Sequence, residues 1–119
     1  MKQGAIKLFE NKKVRVEWDA TREQWFFSIV DIVAVLTEQE DFQVARKYWN
    51  KLSQRLREEG SEVVTNCHRL KLIAEDGKLR ETDVATTEAI LRIVQSIPSP
   101  KAEPFKVWLA RVGNDRIDE

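Results

Sequence analysis

The sequence predicts an α+β fold, with a small antiparallel sheet and a β-hairpin packed with about four helices. Three observations predict it. Short β-type runs separated by polar turns open the chain, later segments carry apolar residues at steps of three and four, and "EDG" sits between two alternating segments.

Taken in order, "AIKLF" and "KVRVEW" are β-type runs joined by "ENKK", a hairpin turn. "DATREQ" is a second polar turn, and "WFFSI" supplies a third strand. Ser28 with Asp31 three residues later gives a helix N-cap pattern close to a capping box. Ile29, Ile32, Val33 and Leu36 follow it at helical spacing, and "TEQED" ends that helix. A helix over 42–59 is the clearest in the chain: Val44, Ala45, Tyr48, Trp49, Leu52 and Leu56 share one arc, and Gly60 is a C-cap stop. "SEVVTNCH" is a poorly patterned link, and "RLKLIAEDGKLRETD" is the hairpin. A third helix begins near Asp83 or Thr86, with Ala89, Ile90, Ile93, Val94 and Ile97 inward. "PSPKAEP" breaks the chain, and "EPFKVWLARVGNDRI" starts a last helix with Pro104 in its first turn.

At 119 residues the chain is large enough to bury a core without disulfides, and 1–119 reads as a single domain. A single cysteine, Cys67, excludes an intramolecular disulfide framework and fits a reducing compartment. The N-terminal residues lack an apolar signal core, and no apolar run approaches a membrane span, so a soluble, cytoplasmic protein is expected. Twenty Lys plus Arg balance twenty Asp plus Glu, so only local asymmetry can point to a charged partner.

Catalytic chemistry finds little footing. His68 is the sole histidine and adjoins Cys67, but neighbours in a strand point to opposite faces, which suits edge residues better than metal ligands. No nucleophile has a recognisable orienting base, and four scattered glycines make no phosphate loop. Glu75 and Asp76 lie in a turn. The chain is not expected to be an enzyme or to hold a cofactor or metal.

Binding chemistry is concentrated on the 42–59 helix. Gln43, Arg46, Lys47, Asn50, Lys51, Gln54 and Arg57 fall opposite its apolar arc, with no acid among them. Lys and Arg contact phosphates, Arg reads guanine, and Asn and Gln read adenine. Arg46, Lys47, Asn50, Lys51, Gln54 and Arg57 are therefore the candidate contacts to duplex DNA. Helix, turn, basic helix and hairpin is also the order of a winged helix-turn-helix unit, which adds Lys78 and Arg80 beyond the "EDG" turn. Glu38, Glu40 and Asp41 oppose this reading if they face phosphate. Arg111 and Arg116, interspersed with acids, read as a solvated helix. Trp18, Trp25, Trp49 and Trp108 read as core.

"WFFSIVDIVAVL", then "LIAEDG", then "SPKAEPFKVWLARV" resemble the Bro-N domain of phage antirepressors and baculovirus Bro proteins. The residues that carry the resemblance are Trp25, Phe26, Asp31, Ile32, Phe105, Lys106 and Trp108. The bacterial branch looks most similar, with its prophage antirepressors and relatives of DNA-damage-inducible protein D. Where many members carry a proline after the last helix, this chain has "VGNDRI", and a continuation beyond Glu119 is expected. The resemblance implies an α+β domain that binds DNA, in phage or stress regulation. An antirepressor acts on a protein, so a module that sequesters a repressor or recombination protein is the alternative. A homo-oligomer is left open.

Overall fold

The computed structural model describes residues 2–62 and 67–114. The elements run β1 (Lys2–Phe9), β2 (Lys12–Asp19), β3 (Gln24–Ser28), α1 (Ile29–Leu36), α2 (Phe42–Glu58), β4 (His68–Ile73), β5 (Leu79–Thr86), α3 (Thr87–Gln95) and α4 (Ala102–Asn114). The strands form one antiparallel sheet in the order β1-β2-β3-β5-β4.

The β1–β2 turn is two residues long, Glu10 and Asn11, with φ of 47° and 67°. Both take the left-handed conformation that a tight hairpin needs to match strand twist. Alternation along β2 and β3 then puts Val14, Val16, Trp18, Trp25 and Phe27 on one buried face. Ser28 caps α1 by accepting a bond from the Asp31 N–H at 3.4 Å. All eight residues of α1 are buried, which explains how a helix rich in β-branched residues holds its shape. Trp108 of α4 donates to the Leu8 carbonyl at 2.8 Å and stacks edge-on to Phe9, closing the other end of the core.

The third helix starts at Thr87 with Thr86 as its N-cap, so of the two expected start points Thr86 holds and Asp83 does not. Asp83 belongs to β5 instead, because Val84–Thr86 pair with Phe26–Ser28. The hairpin is thus part of the sheet rather than an appendage. Its far end also curls. In a flat sheet Ile73 would stand three strands and five residues from Arg15, roughly 20 Å away. Yet Arg15 Nη1 donates to the Ile73 carbonyl at 3.1 Å. The hairpin therefore folds back over the second face of the sheet, where Leu72 meets Phe26 and Val84 in a smaller apolar cluster.

Val44, expected inward, is 42% exposed. The centre of the buried arc is set by Ala45, Trp49, Leu52 and Leu56, and Val44 lies about 110° from it at 100° per residue. Tyr48, about 70° away, is half-buried.

Candidate nucleic-acid interface

α2 is 17 residues long, about 25 Å at 1.5 Å per residue. Its ends are well defined. Asp41 Oδ1 accepts from the Gln43 N–H at 2.8 Å. At the other end Gly60, with φ of 76°, lets the Ser61 N–H reach the Leu56 carbonyl at 2.9 Å. The helix is locked in rotation by its buried arc and by one polar anchor: Trp49 Nε1 donates to Asp83 Oδ2 at 2.9 Å.

This rotation leaves Gln43, Arg46, Lys47, Asn50, Lys51, Gln54 and Arg57 all exposed. Among the described residues, none of Arg46, Lys47, Lys51 and Arg57 forms an ion pair. Arg55 differs, since it turns toward Glu59 at 4.0 Å and the Ser96 carbonyl at 3.5 Å. The fold thus brings together the six residues of α2 selected from the sequence.

Lys78 and Arg80 are placed elsewhere, at the turn end of the hairpin. Arg80 is paired with Asp76, which also accepts the Lys78 N–H at 3.0 Å. The Arg80 guanidinium holds the Asp76 carboxyl below its usual range, and that carboxylate in turn raises Arg80. Neither residue lines the groove beside α2.

That groove, of about 550 Å³, runs between α2 and the β4–β5 hairpin. Asn50, Gln54 and Arg57 line it from the helix, and His68, Arg69 and Asp83 from the strands. Sequence reading missed His68 and Arg69 as neighbours of α2. Their only signal is a basic residue at the start of an alternating run, which does not say which helix the strand faces. The acids flagged as a difficulty gather at the other end. Glu38, Glu40 and Asp41 line a cleft of about 600 Å³ with Glu10, Lys12 and Lys101, at the N-terminus of α2.

Nucleophilic chemistry finds no support in this region. Burial, then the charge of Asp83, push the Cys67 thiol up to about 11, so it stays protonated near neutral pH. His68 packs edge-on to Phe26, with ring centroids 5.3 Å apart. Among the described residues no cluster of His, Cys, Asp and Glu is suited to a metal ion. No helix among them is long and apolar enough to cross a membrane. Trp18, Trp25 and Trp49 are buried, and Trp108 is half-buried against the core. Arg111 is exposed on α4, while Arg116 lies outside the described residues.

No curated protein and no solved structure matches the chain. The family model described as the BRO family, N-terminal domain, matches residues 13–115. That span takes in both the Trp25–Phe26 strand running into α1 and the Phe105–Trp108 segment of α4, two motifs that contribute side chains to the apolar clusters, and on this match the chain belongs to the Bro-N family.

Proposed function

We propose that this Bro-N domain is the DNA-binding regulatory domain of a prophage antirepressor-like or DNA-damage-response protein. It contacts duplex DNA through the free arc of α2. The observation that carries the reading is that arc itself: four exposed cations without ion pairs among the described residues, interleaved with Asn50 and Gln54. A single helix fits the major groove, about 12 Å wide. In this reading Arg46, Lys47, Lys51 and Arg57 anchor phosphates, while Asn50 and Gln54 meet base edges. Family membership supports it, since Bro-N is consistent with a DNA-binding or antirepressor-type domain.

Arg46→Glu combined with Lys51→Glu is the test. Both side chains are exposed, so the variant melts like the wild type and loses duplex binding in a gel-shift titration. Retained binding by a folded double variant contradicts the assignment.

A second reading, a module that sequesters a repressor or recombination protein, has one observation in its favour. Ile73 and Leu79, cross-strand partners at the end of the hairpin, are 63% and 62% exposed. Apolar residues displayed together suit a protein partner. Changing both to Ser weakens recovery of a protein partner if this reading holds, and leaves duplex affinity intact.

A further inference from the structure

Arg69 stands opposite Asp83 across the β4–β5 pair, on the strand side of the groove beside α2. Its Nε donates to Asp83 Oδ1 at 3.1 Å. The second oxygen of the same carboxylate accepts from Trp49 of α2 at 2.9 Å. Asp83 therefore ties a buried indole on the helix and a guanidinium on the strand to one fixed point. Bonding through Nε sets the plane of the guanidinium and leaves its two terminal nitrogens without a protein partner among the described residues.

The side chain of Arg69 is nevertheless 71% exposed, so the pair with Asp83 contributes little to stability. Its geometric effect is larger, because it fixes a guanidinium, with four N–H donors on its terminal nitrogens, on the strand side of a groove that Arg57, Asn50 and Gln54 line from the helix. Arg57 and Arg69 bring two guanidinium groups to the groove against one carboxylate, Asp83, whose oxygens are taken by Trp49 and Arg69. A planar fork of this kind matches phosphate oxygens better than any other side chain does.

We propose that the groove between α2 and β4 seats a backbone phosphate of the duplex. Arg69, positioned by Asp83, holds it from the strand and Arg57 from the helix. This rests on the duplex-binding reading of α2 and adds a register to it. The duplex then follows the arc from Arg46 to Arg57 and reaches Arg69 across the groove, with Glu38, Glu40 and Asp41 left before the start of the helix.

Fluorescence anisotropy of a labelled duplex, titrated at a series of KCl concentrations, tests the proposal with Arg69→Ala and Arg69→Lys. Arg69→Ala binds about tenfold more weakly, from one lost charge-assisted bond. Its log–log salt slope falls by about one. Arg69→Lys keeps the wild-type slope but regains only part of the affinity, because an ammonium cannot serve Asp83 and a phosphate with one fixed fork. Arg22→Ala, in the β2–β3 turn, leaves both unchanged. If the wild type binds and Arg69→Ala binds with the same affinity and slope, the phosphate seat is wrong while the α2 reading stands. If the wild type fails to bind at low salt, both fall.

Discussion

Asp31 is a carboxylate only 2% exposed at the start of α1. Its Oδ2 accepts the Arg15 backbone N–H and Nε, both at 2.8 Å, and its Oδ1 accepts Nη2 at 2.8 Å. Bonding to Asp31 raises the Arg15 pKa against the opposing effect of burial. Breaking one side of such a pair leaves a buried charge, at a cost of about 3 kcal/mol or more. Arg15→Met is therefore expected to lower the unfolding free energy measured by urea titration by that amount, and Arg15→Met with Asp31→Leu to lose less than the sum of the two single changes. A strictly additive double variant contradicts the pairing. Half of this was legible in the sequence: Asp31 follows Ser28 at cap spacing. Its partner was not, because Arg15 is placed by the β2–β3 register, which no local pattern encodes. Cys67 gives a second residue-level prediction. With the folded thiol near 11 against an ordinary 9.0, the proton is held more tightly in the folded state. That contribution to stability is fully present below pH 9.0 and is lost as pH rises through about 11. Iodoacetamide should accordingly alkylate the native protein with an inflection near pH 11, and an inflection near 9 would show that the thiol is not buried.

Helix α2 is the element the sequence describes best, since its apolar period and its glycine stop agree, and the structure adds the Asp41 cap. Gly60 is needed for its φ of 76°, not for space, as a Cβ there would touch nothing within 4 Å. Gly60→Ala should therefore cost only the strain of a left-handed alanine, about 1 kcal/mol, with no change in duplex affinity. A thermal melt read by circular dichroism checks the first part, and an unchanged melting temperature would mean that the cap contributes nothing. The hairpin was legible as a hairpin but not as the outer half of the sheet. Its three pairing residues, Val84–Thr86, look like the first turn of the helix that follows. Nothing in that run says that the chain stays extended until it has paired with β3. The curl that brings Ile73 to Arg15 is still less visible, since it rests on one guanidinium acting over 58 residues of sequence.

At the scale of the molecule, a formal net charge of zero conceals a polarised surface. Among the described residues the free arc of α2 carries four cations without ion pairs, while Glu38, Glu40 and Asp41 line a cleft at the N-terminal end of that helix with Lys12 and the Glu10–Lys101 pair. On the proposed duplex-binding reading, long-range attraction to a polyanion is weak, and binding depends on placing the arc within a Debye length of the phosphates, about 8 Å at physiological salt. Binding of this kind weakens as salt rises, by an amount that counts the phosphates neutralised. The most direct measurement is the equilibrium affinity of the wild-type domain for a labelled duplex across a range of KCl concentrations. The four cations of the arc predict a log–log slope of roughly −3.6, and about −4.5 when Arg69 also holds a phosphate. A slope near zero, or no binding at the lowest salt, would contradict the assignment of α2 as the surface that reads DNA.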